Sequence, residues 1–124
     1  MRVVLIEDNE VFRTHMKRLL SMLPGTSIVK ELSVQNEAEQ WFRDHPSDWD
    51  LALVDLFLAT GNGFHVLKSC LARSPSQKVV VATNYDTDFV RGQVRSFGAD
   101  AFFDKALELD ALADYCKDIA TSRI

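Results

Sequence analysis

The sequence has no long hydrophobic run and no surplus of basic residues. The apolar run near the N-terminus, residues 3–6, is four residues long and is followed at once by acids. It is therefore too short for a signal peptide or a membrane span. The net charge of −4 argues against nucleic acid or an anionic membrane as the direct ligand. We expect a cytoplasmic protein that contacts neither.

Cysteine is scarce, and the histidines are scattered. Cys70 and Cys116 lack the spacing of a metal or redox pair and fall within apolar helical patterns, so we interpret both as small core residues. This usage agrees with a reducing compartment. No two of the three histidines have the spacing of metal ligands, and none is predicted to bind a metal: His15, His45 and His65.

The composition is that of a single globular domain. The chain has 124 residues, 47% of them hydrophobic, and contains no repeat, charge block or low-complexity linker. A chain of this length buries roughly two thirds of its unfolded surface and needs no disulfide or metal to fold. We therefore expect one domain over residues 1–124.

Five short runs rich in β-forming residues alternate with longer stretches of helical period. The first, third and fourth runs are almost continuously apolar, as in strands covered on both faces, so we place them at the centre of a sheet. The second and fifth alternate more and belong nearer the edges. In chain order the runs are "RVVLI", "SIVKEL", "LALVD", "KVVVAT" and "DAFFD".

One apolar stripe with helical spacing follows each run, and prolines or glycines end the first four. The alternation predicts an α/β fold, a three-layer (βα)5 sandwich around a parallel sheet. Right-handed crossovers leave few strand orders, of which the flavodoxin-like order 2-1-3-4-5 is one. The stripes comprise Val11, Phe12, Met16, Leu19, Leu20 and Leu23; Ala38, Trp41 and Phe42; Phe64, Leu67 and Leu71; Phe89, Val90, Val94 and Phe97; and Leu109, Leu112, Cys116 and Ile119.

Polar side chains stand where four of the strands end. Glu7 and Asp8 follow the first strand, Asp55 ends the third, Thr83 the fourth and Lys105 the fifth. Ligands of such sheets bind at the carboxyl ends of the strands, so these groups should converge on one edge. Two carboxylates about 5 Å apart repel by about 3 kcal/mol at an effective dielectric constant near 20. Lys105 and a divalent cation, preferably Mg²⁺, would offset that repulsion.

This grouping suits one kind of chemistry. A carboxylate beside a metal and an ammonium can act as a nucleophile toward a phosphoryl group, and the Thr83 hydroxyl can donate to the added oxygens. Each residue alone has a simpler interpretation: Asp55 as a turn former, Asp8 as a helix cap, Thr83 as a strand cap and Lys105 as a solvated side chain. Their joint occurrence at four strand ends favours a functional site.

Over its whole length the chain resembles the receiver (phosphoacceptor) domain of bacterial two-component response regulators. Each matching motif is weak alone, but four in register with (βα)5 are specific. The resemblance implies the strand order 2-1-3-4-5. The motifs are "LIEDNE", "LALVDLFLATGNGF", "VVVATN" and "GADAFFDKA".

By this resemblance, Asp55 accepts a phosphoryl group from a histidine kinase or histidine phosphotransfer protein in a Mg²⁺-dependent reaction. Thr83 and Lys105 contact the phosphoryl oxygens. The implied metal ligands are Glu7, Asp8, Asp55 and the carbonyl of Phe57.

The resemblance also implies a switch. Thr83 turns inward toward the phosphoryl group, and Phe102 on strand five rotates from an exposed to a buried position. A competing interpretation makes Phe102 or its neighbour Phe103 simply a core residue, because the two alternate across the strand. The switched surface consists of helix four, strand five and helix five, where a protein partner or an output domain would dock. Candidate members are Arg91, Arg95 and Tyr115.

Three features depart from the family pattern. Ala106 replaces the proline that usually follows the lysine through a cis bond, which costs about 3 kcal/mol before other residues. We therefore predict either a cis Lys105–Ala106 bond or a trans bond with Lys105 displaced. Asn84 is larger than the usual residue and would narrow access to Asp55 or donate a hydrogen bond there. The loop "LATGNG" lacks the usual proline and is expected to be more mobile.

These departures keep a second hypothesis open: a pseudo-receiver that binds proteins without being phosphorylated. The acids and Lys105 argue against it. A phosphohydrolase would need an acid two positions after Asp55, where Phe57 stands, so we expect no enzyme beyond self-phosphotransfer and slow loss of its own phosphate. Any output module would lie on another polypeptide or beyond this segment.

Overall fold

The computed structural model describes residues 1–123 and contains the five predicted strands as one parallel sheet. The strand order is β2-β1-β3-β4-β5, which confirms the flavodoxin-like (βα)5 prediction. As predicted, the continuously apolar strands are central and the alternating ones form the two edges. The strands are β1 (Arg2–Ile6), β2 (Ser27–Leu32), β3 (Leu51–Val54), β4 (Lys78–Thr83) and β5 (Ala101–Asp104).

One helix follows each strand. Asn9, Asn62 and Thr87 each cap a helix by accepting a hydrogen bond from a backbone N–H of its first turn. The helices are α1 (Glu10–Ser21), α2 (Gln35–Asp44), α3 (Gly63–Ser69), α4 (Asp88–Ser96) and α5 (Leu109–Ser122). None of these helices is long and apolar enough to cross a membrane.

The sheet separates two hydrophobic cores. Alternate residues of β1 point to opposite faces: Val4 and Ile6 pack with α2, α3 and α4, whereas Val3 and Leu5 pack with α1 and α5. This arrangement is the predicted three-layer sandwich. Both cysteines are buried in it as expected, Cys70 in the first core and Cys116 in the second.

Three members of the predicted apolar stripes lie outside the cores. Val11 is 81% exposed, Phe89 is 74% exposed and Leu71 is 56% exposed. Val11 and Phe89 belong to the first turns of α1 and α4, near the edge of the sheet. Leu71 follows the end of α3. Helical periodicity identifies one face of a helix, but it does not show where the sheet that covers this face ends.

The proline-free loop after β3 is joined to the β2–α2 connection. Ala59 donates its backbone N–H to the Ser33 carbonyl at 3.0 Å, and Gln35 donates to the Thr60 carbonyl at 2.9 Å. Backbone pairing therefore restrains this loop where the family pattern uses proline.

Candidate functional site

Three acids meet at the carboxyl edge of the sheet. Asp55 donates its backbone N–H to the Ile6 carbonyl at 2.9 Å, which sets the end of β3 beside the end of β1. Oxygen atoms of Glu7, Asp8 and Asp55 all lie within 4.8 Å of one another. Glu7 and Asp55 are buried and Asp8 is exposed, so the cluster opens to solvent on one side.

Lys105 enters this acidic pocket. Its Nζ lies 3.2 Å from Oδ2 of Asp55 and also forms an ion pair with Glu7. The lysine side chain is only 8% exposed, so the interpretation as a solvated residue is wrong. The Lys105–Ala106 bond is trans, so the predicted cis alternative is wrong, and with this trans bond Nζ of Lys105 still reaches Asp55.

The backbone around Lys105 is fixed by hydrogen bonds. Lys105 donates its N–H to the Thr83 carbonyl at 3.0 Å. Oδ1 of Asp104 accepts from the N–H groups of Ala106 at 2.7 Å and Leu107 at 3.2 Å. Sequence reasoning missed Asp104, although an aspartate at a strand end is a typical former of such turns.

Glu7 lies in a poorly solvated part of the pocket. Burial raises the pKa of Glu7 to about 7, the hydrogen bond with Lys105 opposes this shift, and the charge of Asp55 adds to it. Oε2 of Glu7 also accepts the Asn9 backbone N–H at 3.2 Å. The Glu7 carboxyl is therefore more easily protonated than an exposed one, and the single ammonium of Lys105 faces a group of three acids.

Asn9, and not Asp8, caps α1, because Oδ1 of Asn9 accepts the Phe12 N–H at 2.9 Å. The interpretation of Asp8 as the helix cap is therefore wrong. The cap places Phe12 beside the pocket, where its ring centroid lies 4.4 Å from Nζ of Lys105. From the sequence, Phe12 was only a member of an apolar stripe.

Thr83 is fully buried at the end of β4. Its hydroxyl oxygen accepts the backbone N–H of Tyr85 at 3.3 Å and retains its own hydrogen for a second partner. Asn84, the next residue, is exposed.

Phe57 is half exposed, two residues after Asp55. Its ring lies 4.3 Å from the ring of Tyr85, and its backbone forms an isolated bridge with Asn62. The two aromatic rings thus connect the loop after β3 with the loop after β4.

Gly63 is required by close packing against Asp55. A Cβ atom at Gly63 would lie 2.2 Å from the backbone oxygen of Asp55 and 2.9 Å from Cα of Leu56. No side chain fits there, so α3 can begin directly against the backbone of Asp55.

Phe102 is half-buried on the side of the sheet that faces α4, and Phe103 is half-buried on the opposite side. The guanidinium of Arg91 lies over the Phe102 ring and pairs with Asp86 and Glu108. The predicted switch aromatic is therefore covered by a charged side chain.

The acids form a suitable donor set for Mg²⁺, since this ion prefers carboxylate oxygens and accepts few protein ligands. The structure as a whole is a doubly wound α/β protein with an acidic, lysine-containing pocket where the strand order reverses. A family model, the response regulator receiver domain, matches residues 3–117. The chain belongs to this family of two-component signalling proteins.

Individual relatives agree with this assignment. Transcriptional regulatory protein DegU of Brevibacillus brevis is 28% identical over 120 residues, which cover 96% of this chain and 50% of the relative. Nitrate/nitrite response regulator protein NarL of Escherichia coli is 34% identical over 113 residues, which cover 89% of this chain and 50% of the relative. The chain therefore spans about half the length of these curated relatives.

A solved structure shows the same fold. The signal receiver domain of a DNA-binding response regulator protein from Colwellia psychrerythraea aligns with a TM-score of 0.82 at 22% identity, covering 98% of both chains.

Proposed function

We propose that Asp55 accepts a phosphoryl group from a histidine kinase or a histidine phosphotransfer protein in a Mg²⁺-dependent reaction. The observation that carries this proposal is the position of the Asp55 carboxylate, in contact with Lys105 and within 4.8 Å of two further acids. In the transfer, an Asp55 oxygen forms a bond to phosphorus while the phosphorus–nitrogen bond of the donor imidazole breaks. The product is an acyl phosphate on Asp55.

The other site residues have distinct roles in this proposal. Glu7, Asp8, Asp55 and the Phe57 carbonyl would hold Mg²⁺, which screens the charge of the transferred group when bound. Lys105 already contacts Asp55 and would donate to a phosphoryl oxygen after transfer. The Thr83 hydroxyl would donate to another oxygen.

Phosphorylation would then change the surface formed by α4, β5 and α5. Thr83 turns toward the phosphoryl group, and Phe102 moves inward from its half-buried position. Such a change shifts the balance between two conformations of this surface, to which a partner or an output domain binds. Arg91, Arg95 and Tyr115 are its proposed contact residues.

In this proposal, residues 1–124 form a cytoplasmic signalling domain that makes no direct contact with nucleic acid or membrane. It does not turn over small substrates, because Phe57 stands where a phosphohydrolase would carry its second acid. It slowly loses its own phosphate, and Asn84 controls access to that phosphate. The name of one relative, a transcriptional regulatory protein, supports control of transcription by a domain outside this chain.

Acetyl phosphate tests the phosphoacceptor role. Incubation with this donor and Mg²⁺ should add one phosphoryl mass to the intact protein, and a chelator should prevent the gain. Asp55→Asn should abolish it, whereas Asp114→Asn, which removes an exposed acid of α5, should not. A wild-type protein that gains no mass would favour the pseudo-receiver, the alternative that the acidic pocket and Lys105 argue against.

A further inference from the structure

The ammonium group of Lys105 has an aromatic neighbour in addition to its two carboxylate partners. Its Nζ lies 4.4 Å from the ring centroid of Phe12, within the distance at which a cation is attracted to the face of a ring. The lysine side chain is 8% exposed, so little water competes with this contact. The contact therefore acts in a poorly solvated pocket, where electrostatic attractions are stronger than at the surface.

The position of Phe12 depends on Glu7, one of the acids of the pocket, through Asn9. Glu7 accepts the Asn9 N–H at 3.2 Å, and Asn9 in turn accepts the Phe12 N–H at 2.9 Å. These two hydrogen bonds connect the end of β1 with the first turn of α1. The ring is also half-buried against the core formed with α1 and α5. Phe12 is thus held by its backbone and by its packing, independently of Lys105.

We infer that Phe12 is a positioning residue for Lys105 and keeps the ammonium directed at Asp55. This inference rests on the proposed phosphoacceptor function. When Asp55 gains a phosphoryl group, Lys105 exchanges its contacts with carboxylate oxygens for contacts with phosphoryl oxygens. The Phe12 ring is uncharged, so the change of charge on Asp55 does not alter the ring's attraction for the ammonium. The ring therefore holds one side of the ammonium during this exchange. Without it, Lys105 spends more time in conformations that do not reach Asp55.

Three variants separate this role from simple packing. Phe12→Leu keeps an apolar side chain but removes the π face, and Phe12→Tyr restores a ring. Phe64→Leu is a matched control, because Phe64 is also half-buried in the first turn of a helix but packs against Phe97. If Phe12→Leu does not fold, Phe12→Met takes its place, because the unbranched methionine side chain also lacks a ring and adapts more easily to the space that the ring leaves.

The first measurement is the NMR signal of the Lys105 ε-methylene group in protein labelled with ¹³C-lysine, assigned with Lys105→Arg. The ring current of Phe12 should move this signal upfield. We expect the upfield shift to persist in Phe12→Tyr and Phe64→Leu and to disappear in Phe12→Leu. An unchanged signal in Phe12→Leu would overturn the inference.

The second measurement is the rate of phosphorylation by acetyl phosphate at saturating Mg²⁺. We expect Phe12→Leu to be about three- to tenfold slower than wild type, the range of a lost cation–π contact, and the other two variants to stay within about twofold. Equal rates for Phe12→Leu and Phe64→Leu would refute the positioning role. A wild-type protein that is not phosphorylated would contradict the proposed function instead, and the NMR signal would still decide whether the Phe12 ring contacts the Lys105 side chain.

Discussion

The guanidinium carbon of Arg91 lies 4.5 Å from the centre of the Phe102 ring. The same guanidinium pairs with Asp86 at 2.6 Å and with Glu108. Glu108 in turn accepts the backbone N–H of Asp104 at 3.0 Å. We call Arg91, Asp86 and Glu108 the arginine clamp. It joins the loops that follow β4 and β5 across the proposed switch residue, so any rotation of Phe102 has to rearrange it.

Removal of the arginine clamp should destabilise the domain. Arg91→Ala loses the contact with the Phe102 ring, which is worth about 1 kcal/mol at a partly exposed site, in addition to two ion pairs. Arg95→Ala, one turn further along α4 at an exposed position, should change the free energy of unfolding by less than about 0.5 kcal/mol. Urea unfolding followed by circular dichroism measures both. Equal stabilities of the two variants would show that the clamp contributes nothing.

Gly63→Ala should be destabilising by about 1 to 3 kcal/mol, the usual range for an overpacked buried site. The added Cβ meets the backbone oxygen of Asp55 at 2.2 Å, and neither backbone segment can move freely. Gly92→Ala is the matched control, because no atom lies within 4 Å of a Cβ at Gly92, inside α4. There alanine should stabilise the helix by up to about 1 kcal/mol. Thermal unfolding of both variants tests whether the two substitutions change the stability in opposite directions.

Asp50 should contribute to the pH dependence of stability. Burial acts to raise its pKa, but the side-chain and backbone hydrogen bonds from Arg2, together with the charges of Arg2 and Arg123, outweigh burial and leave the pKa below its ordinary value. Because the pKa is lower in the folded state, the contribution is fully present above the unfolded pKa of about 4. It is lost as the pH falls through the folded pKa.

Urea unfolding at pH 6 and pH 3 measures this contribution. Wild type should lose more stability between the two pH values than Asp50→Asn does. Asp114→Asn, at an exposed position of α5, should lose as much as wild type. The same loss in all three proteins would contradict the assigned role of Asp50.

Both thiols should be unreactive in the folded protein. Burial raises the pKa of Cys70 to about 12 and that of Cys116 to about 12, so almost no thiolate exists at pH 8. Iodoacetamide should add no mass to the native protein and two adducts after unfolding in urea. Rapid modification of the native protein would show that at least one thiol is accessible, contrary to the burial of both.

Much of the fold could be predicted because buried parallel strands appear in the sequence as almost continuously apolar runs. The bounds predicted for β1, β2 and β4 coincide with those of the structure, and β3 ends one residue earlier, before Asp55. The meeting of Asp55 and Lys105 was also predictable, since the carboxyl ends of parallel strands share one edge. The place of each residue at the end of a strand, together with the strand order, was enough to predict that the two side chains meet.

The remaining contacts depend on three-dimensional neighbours that leave no local pattern. Arg91 and Glu108 are 17 positions apart, and solvated charges are the ordinary interpretation of such residues. Phe12 has the spacing of a core residue and serves as one, so nothing in its sequence context separates packing from contact with Lys105. Neither relationship follows from periodicity, which describes a single element and not the side chains that another element brings to it.

The division of the interior by the sheet has a consequence for spectroscopy. Both tryptophans pack on one side: Trp49 is buried in the core shared with α2, α3 and α4, and Trp41 lies against it. Their fluorescence therefore reports on that half of the molecule, whereas Tyr115 lies in the half formed by α1 and α5. Coincident unfolding curves from tryptophan emission and from a probe near Tyr115 would show that the two halves melt as one cooperative unit.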